Sequence, residues 1–231
     1  MAKKKVVKKV EAKKADKTIQ YVAIGLIVIV VAIISWQYVP KPKSNANIGS
    51  EVACEPFASI PAAEQYNEVP PMKVDEAKQY FATFTMANGG EFVVELYPAK
   101  APITANSFVF LACKGFYDGV TFHRVLEGFM AQGGDPTGTG AGGPGYEFVN
   151  ENSDLTFDKA GVLAMANSGP DTNGSQFFIT FAPADFLNGG YTIFGQVTEG
   201  MDVVNAITRR DPDQNPTAKG DAIKTVTITE K

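Results

Sequence analysis

The stretch Phe122–Asp135, FHRVLEGFMAQGGD, holds the residues whose types and spacing are best suited to chemistry. It contains the chain's only histidine, His123, next to Arg124, followed by two large apolar residues, Phe129 and Met130. A cationic group among apolar neighbours is costly unless it is paired or used. Arg124 is therefore either the partner in a structural ion pair or a group that acts on a ligand through its fixed fork of N–H donors.

His123 is expected to be structural rather than a general base. A Ser-His-Asp triad would have to use this histidine, and the chain has no G-x-S-x-G elbow to present the serine. The GTGAGG stretch, Gly138–Gly143, matches a dinucleotide pattern that requires a strand before it and a helix after it. Here GGDPT precedes it and PGYEF follows, so we interpret the stretch as a turn.

Cys54 and Cys113 are the chain's two cysteines. With one histidine they do not form a tetrahedral metal set, so no metal and no cofactor are expected. The two residues would pair in an oxidising compartment. The position of Cys54 in a segment that resembles a linker argues against that bridge.

The elements that must position these residues are mostly short strands. Apolar and polar residues alternate on both sides of Asn88-Gly89-Gly90, which predicts a hairpin. Helical spacing follows, with Pro102 suited to the first turn and Gly115 to the end. Four short strands, a second helix at GMDVVNAITR and a closing strand at AIKTVTITE come next. The pattern predicts a mainly β fold, a closed antiparallel barrel with two helical caps.

Charge is distributed unevenly along the 231 residues. Residues 1–20 hold eight lysines and two acidic residues, a net charge of +6, whereas the whole chain carries −4. The remaining residues therefore carry −10. An acidic body argues against nucleic acid as a partner.

The first forty residues predict a membrane anchor. Residues 19–39 carry no charge over 21 positions, which is enough to cross the bilayer core, and aromatic residues flank the stretch. By the positive-inside rule, the lysine-rich tail of residues 1–18 stays in the cytoplasm. We therefore expect a single-pass signal-anchor helix, a linker at 40–76 and an extracytoplasmic body at 77–231, on the periplasmic or cell-surface side. The alternative is a signal peptide cleaved near Ala46.

Four stretches of the body resemble the cyclophilin-type peptidyl-prolyl cis-trans isomerases: FHRVLEGFMAQGGD, GTGAGGPGYEF, GVLAMANSGPDTNGSQFFIT and YTIFGQV. The resemblance covers about Tyr80 to Glu230 and does not extend to residues 1–75. It implies a closed eight-stranded antiparallel barrel capped by two helices, with its site on the outer surface of the barrel. It also implies rotamase activity on X-Pro bonds, and for an anchored member a role in the folding of exported proteins.

The resemblance also assigns roles to single residues. The catalytic set falls on Arg124, Gln132 and Phe129, with Gln132 supporting the arginine and the substrate backbone. The substrate-binding set falls on residues that hold the proline or the peptide edge: Met130, Gly138, Ala166, Asn167, Ser168, Gln176, Phe178, Phe186, Leu187 and Tyr191. Because Phe177 and Phe178 are adjacent, one can belong to the core while the other faces the site.

Two positions depart from the best-known members of that family. Phe186 stands where many carry Trp, and Tyr191 where many carry His; we interpret both as marks of a bacterial-like subtype. The missing indole N–H removes a hydrogen-bond donor, so weak or no cyclosporin binding is expected. Proline-containing polypeptides are the expected partners of a monomeric protein.

Two functions remain open from the residues alone. One is an isomerase, in which Arg124 donates to the proline nitrogen of the twisted amide, where resonance is lost and the lone pair is restored. The other is a tethered chaperone module that binds proline-containing segments with little turnover. The presence of Arg124 favours the isomerase, since binding alone would not require it.

Overall fold

The computed structural model describes residues 51, 52, 54–59, 62–214, 216, 217 and 219–231. The predicted cytoplasmic tail and the anchor helix at 19–39 lie outside these residues. Within the described ranges, no helix has both the length and the apolar character needed to span a bilayer. The same ranges contain no cluster of three or more His, Cys, Asp or Glu residues suited to a metal ion.

In the described part of the chain, nine antiparallel strands form one sheet. They are β1 (Glu51–Val52), β2 (Tyr80–Met86), β3 (Glu91–Leu96), β4 (Arg124–Leu126), β5 (Met130–Gly133), β6 (Val162–Met165), β7 (Phe177–Thr180), β8 (Ile193–Glu199) and β9 (Ile223–Glu230). Their order in space is β1-β9-β2-β3-β8-β6-β7-β5-β4. The body thus has eight strands, β2–β9, and β1 adds a short edge strand to β9.

The prediction of a fully closed barrel was wrong, although the mainly β fold is confirmed. The two edge strands of the sheet, β1 and β4, do not pair with each other. Between these two ends of the sheet, the described residues form the isolated bridge Thr121–Ala222 and a hydrogen bond from Gly119 N to Ile223 O at 2.8 Å, and Val125 bridges to Arg210 in the segment before β9. Because closure of a barrel requires a continuous ladder between its edges, the sheet is a half-barrel.

The predicted hairpin between β2 and β3 is present, with Phe84 opposite Phe92 in its register. Its turn contains Gly89 at φ 89°, a conformation that favours glycine, and Asn88 Oδ1 accepts a hydrogen bond from Gly90 N at 3.0 Å. Turn chemistry and strand alternation therefore specify this element locally.

Among the described residues, two α-helices accompany the sheet, α1 (Pro102–Cys113) and α2 (Met201–Asn205). Pro102 begins α1, as predicted. The Glu151 carboxylate accepts hydrogen bonds from the backbone N–H groups of Ile103 and Thr104 at 2.9 and 2.8 Å. A negative charge at this end satisfies otherwise unpaired N–H groups and complements the helix dipole. Single 3₁₀ turns occur at Glu55–Phe57, Asp185–Leu187 and Pro212–Gln214.

The buried apolar residues form two clusters on opposite faces of the sheet. The larger cluster lies between the sheet and α1 and contains Phe84, Phe108 and Phe177. The smaller cluster contains Met130 and Phe178. The alternation expected for Phe177 and Phe178 is confirmed, because successive side chains on a strand point to opposite faces. The smaller cluster forms the floor of the site described below.

Cys54 and Cys113 form a disulfide, with their Cα atoms 5.3 Å apart. The expectation against this bridge was wrong because it assumed that the segment around Cys54 stays away from the body. Phe57 is fully buried, and its ring centroid lies 5.4 Å from that of Phe110 on α1. Lys114 Nζ also donates to the Phe57 carbonyl at 2.6 Å. The disulfide therefore joins this segment to the end of α1, and the Phe57 side chain packs against the same helix.

The part of the predicted linker nearest the body is held by Asn106 of α1. The Asn106 side chain accepts hydrogen bonds from Lys73 N and Val74 N at 2.8 and 3.2 Å. It donates to the carbonyls of Pro70 and Pro71 at 3.3 and 3.2 Å. One buried amide thus fixes four backbone groups of the segment, which follows the surface of the body as ordered chain.

Candidate active site

The β4–β5 hairpin carries the central residues of the site. In its register Arg124 lies opposite Gln132, and Leu126 lies opposite Met130. These four side chains share one face of the hairpin, since side chains alternate between faces and the intervening Val125 is buried in the larger core cluster. The register of this hairpin therefore places the arginine, the methionine and the glutamine side by side.

A small cavity of about 200 Å³ opens on this face. Nine residues from four stretches of the chain line it: Arg124, Phe129, Met130, Gln132, Ala166, Asn167, Phe178, Leu187 and Tyr191. All nine were predicted from the sequence as site residues. The floor consists of three apolar side chains, Met130, Phe178 and Leu187, each at least nine-tenths buried.

Arg124 is half-buried at the edge of this cavity, and its Nη1 lies 3.9 Å from Met130 Sδ. Among the described residues, no carboxylate lies within ion-pair distance of the guanidinium. The structural ion pair that the sequence left open is therefore absent from the described part of the chain. The guanidinium N–H groups are available to a ligand above the apolar floor.

Gln132 contacts Gln176 rather than Arg124. Its Nε2 donates to Gln176 Oε1 at 3.0 Å, and Gln176 Nε2 donates to the carbonyls of Gly140 and Gly142, each at 2.9 Å. The two amides form a relay from β5 to the glycine-rich loop. This relay fixes the orientation of Gln132, whose Oε1 takes no part in it.

Asp135 holds the glycine-rich loop from below. This carboxylate is fully buried and accepts hydrogen bonds from Thr137 N at 2.7 Å, Thr139 N at 3.0 Å and Gly140 N at 2.5 Å. Burial by itself would raise the pKa of Asp135, but the hydrogen bonds from Thr137 and the loop backbone outweigh it and hold the pKa below its usual value. The loop is thus built around a buried negative charge, and no helix follows it, as the interpretation as a turn requires.

The segment Ala166–Ser168 forms one edge of the cavity. Ala166 N donates to Gln176 O at 2.9 Å, and Asn167 Nδ2 donates to Gly190 O at 3.1 Å. Within the described residues, the backbone N–H and C=O of Asn167 make no internal hydrogen bond. This residue therefore presents a free donor and a free acceptor beside the cavity, which is what an extended peptide requires.

Aromatic residues form the opposite rim. The Tyr191 ring packs edge-on against Phe178, with centroids 5.4 Å apart. Phe186 does not line the cavity; its side chain is 75% exposed and its ring centroid lies 5.5 Å from that of Phe129. Large exposed apolar side chains often contribute to interaction surfaces. Phe186 thus extends the apolar rim outward from Phe129.

Gly138 and His123, two further residues that the sequence analysis considered, do not line the small cavity. Gly138 is in the Asp135 loop, where its backbone N–H donates to Asp135 O at 3.1 Å. His123 is 3% exposed, and neither ring nitrogen has a hydrogen-bond partner among the described residues. Burial lowers the pKa of His123, so the ring stays neutral. Its position supports a structural role.

A second and larger cavity, of about 650 Å³, adjoins the small one. Both are lined by Gln132, Ala166 and Asn167, and the predicted site residues Ser168 and Gln176 line only the larger cavity. Its wall also includes Gln65, which the sequence placed in the linker. Sequence reasoning missed Gln65, which reaches the cavity only through distant contacts. It also missed the role of Asp135, although the carboxylate bonds residues only two to five positions further along the chain.

An antiparallel half-barrel with an unpaired arginine over an apolar cavity on its outer face defines a cyclophilin-type domain. The chain belongs to the cyclophilin-type peptidyl-prolyl cis-trans isomerase family and is an enzyme of that class. The sequence profile described as "Cyclophilin type peptidyl-prolyl cis-trans isomerase/CLD" matches residues 81–229.

Relatives of known name agree with this membership. The chain is 54% identical over 122 residues to mouse peptidyl-prolyl cis-trans isomerase-like 1, a match covering 51% of this chain and 74% of the mouse protein. It is 48% identical over 145 residues to a peptidyl-prolyl cis-trans isomerase of Schizosaccharomyces pombe, covering 60% of this chain and 94% of the yeast protein. These relatives are eukaryotic and give no support to the bacterial-like subtype expected from Phe186 and Tyr191.

A solved structure has the same fold. The crystal structure of a cyclophilin type peptidyl-prolyl cis-trans isomerase of Cryptosporidium parvum is 34% identical to this chain, with a TM-score of 0.58. The match covers 66% of this chain and 99% of that one. A second structure of the same protein, determined in the presence of the dipeptide Ala-Pro, matches with a TM-score of 0.57.

Proposed function

We propose that the enzyme accelerates rotation about X-Pro bonds by holding the proline ring in the small cavity while Arg124 donates a hydrogen bond to the proline nitrogen. The supporting observation is that Arg124 has no acidic partner in the described part of the chain and lies above an apolar floor. No covalent bond forms or breaks in this reaction, so the protein has only to favour the twisted amide.

The energetic requirement is moderate. Rotation about a peptide bond crosses a barrier of about 18–20 kcal/mol, because resonance gives the C–N bond double-bond character. A turnover of about 10³ per second requires a reduction of roughly 7 kcal/mol. Only contacts that are stronger in the twisted state than in either planar state contribute to that reduction.

Arg124 provides such a contact. In the planar amide the nitrogen lone pair is delocalised and accepts poorly, whereas in the twisted amide it is localised and accepts well. A guanidinium is always protonated, and the low polarity of its surroundings strengthens its hydrogen bonds. The same donor therefore stabilises the transition state more than the substrate.

The other residues hold the two ends of the rotating bond. Met130, Phe178 and Leu187 bind the proline ring through apolar contact, and Phe129 closes the cavity from the side. The backbone groups of Asn167 fix the peptide as an added extended segment. Gln132, oriented by Gln176, contacts the peptide backbone next to the arginine.

The experiment that tests this proposal measures isomerisation of a short Ala-Pro peptide by the full-length chain and by the Arg124→Ala variant. Loss of one preorganised donor is expected to lower kcat about 10²- to 10³-fold. Arg209→Ala is the matched control, because Arg209 pairs with Glu127 at 2.5 Å and does not line the cavity.

Peptide binding measured in parallel distinguishes the isomerase from the tethered binding module. For the isomerase, Arg124→Ala loses turnover while the peptide is still bound through the apolar floor. If the parent enzyme binds the peptide but does not accelerate its exchange, the binding module is the correct function.

We further propose that the domain acts outside the cytoplasm on exported proteins, anchored by residues 19–39. The proposal rests on the uncharged length of that stretch, on the lysines that precede it and on the Cys54–Cys113 disulfide. Disulfides persist in oxidising compartments and are rare in the cytosol. In this arrangement the chain between the anchor and the body ends at Cys54, which is bonded to Cys113.

A further inference from the structure

The larger cavity beside the proline site is built partly by chain that precedes the family domain. The family profile begins at residue 81, whereas Gln65 forms part of the cavity wall. All described residues belong to one compact unit, so the segment and the body can be considered together.

The segment around Gln65 is held in place by specific contacts. Tyr66 N donates to Pro144 O at 2.7 Å, and the Tyr66 ring packs edge-on against Phe110 with centroids 4.8 Å apart. The disulfide and Asn106 fix the chain on either side of this point. Gln65 therefore occupies a defined position at the cavity rather than passing near it.

Gly145 in the body lies in close contact with this segment and leaves no room for a side chain. Its φ is 94°, a conformation that favours glycine. A Cβ atom at this position would collide with the Tyr66 carbonyl oxygen and lie 3.2 Å from Gln65 Cβ. Any larger residue at 145 would push the segment away from the cavity.

The charged lining of the cavity is negative. Glu147 is the one charged residue that lines it among the described residues, and it is exposed. The remaining polar lining consists of neutral side chains, including Gln65 and Gln176, and of glycine backbone groups. Such a cavity accepts a long polar side chain and attracts a positive one.

The position of the cavity relates it to the substrate. It shares Gln132, Ala166 and Asn167 with the small cavity, so a peptide held along Ala166–Ser168 places a neighbouring side chain inside it. We propose that the segment of residues 62–69 is part of the substrate site, and that Gln65 and Glu147 select a lysine or arginine side chain close to the proline. This inference rests on the proposed binding of proline in the small cavity.

The test uses the full-length oxidised chain in detergent and four peptide series that differ at one position near the proline: Lys, Gln, Ala and Glu. The residue is moved in turn to each position from three before the proline to two after it. At one position, kcat/KM for the Lys peptide is expected to exceed that for the Glu peptide about threefold to fivefold, as for an exposed ion pair. Raising the salt concentration should reduce this ratio.

Variants then assign the preference to the two residues. Glu147→Gln should bring the Lys-to-Glu ratio close to one, and Gln65→Lys should invert it at the same peptide position. The matched controls are Glu199→Gln and Gln79→Lys, two exposed residues outside the segment and outside the cavity lining. Both controls should leave the ratio unchanged.

The outcomes separate this inference from the proposed function. If the Ala peptides are not isomerised, the proposed function fails. If they are isomerised and no position discriminates Lys from Glu, or if Gln65→Lys has no more effect than Gln79→Lys, the inference is wrong. An equal gain for Lys and Gln peptides that survives Glu147→Gln would show selection for length and would overturn the role of charge.

Discussion

His123 is the residue whose surroundings most clearly predict a dependence on pH. Burial lowers its pKa in the folded state, whereas the unfolded chain titrates near pH 6.5. Between these two values the unfolded state binds the proton more tightly, so the free energy of unfolding falls as the pH decreases through about 6.5. One proton changes it by at most about 1.4 kcal/mol per pH unit.

The measurement compares urea denaturation of the parent and of His123→Gln between pH 7.5 and about 5. The variant should be less stable at every pH because it loses packing, but its slope below pH 6.5 should be shallower. The lowered pKa of Asp135 acts only below about pH 4 and does not enter this window. Equal slopes for the two proteins would show that His123 titrates normally in the folded state.

Phe186 makes a second prediction at this scale. Its ring is exposed beside Phe129, but it offers no hydrogen-bond donor. Phe186→Trp would add an indole N–H, and one added hydrogen bond is expected to tighten cyclosporin binding about 2- to 12-fold. Inhibition titrations of the parent and the variant measure this. Tight inhibition of the parent itself would show that the missing donor does not limit binding.

At the scale of elements, the segment joined by Cys54 and Cys113 should contribute measurably to stability. The bridge links positions 59 residues apart, for which the loop-entropy model gives about 4 kcal/mol. Because the segment can detach before the body unfolds, a loss of about 2–4 kcal/mol is expected for Cys54→Ser.

Denaturant titrations with and without dithiothreitol check this value. Reduction should lower the stability of the parent to that of Cys54→Ser and should leave the variant unchanged. No response of the parent to reduction would contradict a stabilising bridge.

The β4–β5 hairpin shows what the sequence could and could not predict, because β4 was among the expected strands and β5 was not. Alternation along Arg124–Leu126 and Met130–Gly133 places Arg124, Met130 and Gln132 on one face, and the same rule separates Phe177 from Phe178. The start of α1 at Pro102 and the β2–β3 turn also follow from residue types at single positions. Each of these features depends on a few neighbouring residues.

The features that the sequence did not predict depend on distant partners. The Cys54–Cys113 bridge, the four bonds of Asn106 and the place of Gln65 at the cavity all join the chain before residue 77 to the body. The incomplete closure of the sheet depends on how its two edges meet. Composition described the early segment correctly as rich in turn-forming residues, but composition does not show which surface it covers.

At the scale of the whole molecule, the disulfide and the charge asymmetry lead to one prediction on topology. We expect the body to lie outside the cytoplasm, with Cys54 and Cys113 oxidised in the cell. The test is protease accessibility. Protease is added to cells whose plasma membrane is intact and whose outer barrier, where one exists, has been opened. An epitope at the C-terminus should be lost and one at the N-terminus should be retained.

Gels run without reductant after acid trapping of thiols provide the second readout, with Cys54→Ser as the marker for the reduced form. A protected C-terminus together with free thiols would contradict the proposed topology.

The most direct test of the central proposal measures rotation of the X-Pro bond while the peptide is bound. Exchange spectroscopy of an Ala-Pro peptide at saturating enzyme reports the rate between bound cis and bound trans forms separately from affinity. For Arg124→Ala we predict a bound exchange rate lowered about 10²- to 10³-fold, with peptide affinity changed much less. An unchanged exchange rate in the bound complex would contradict the role of Arg124, whatever the variant does to affinity.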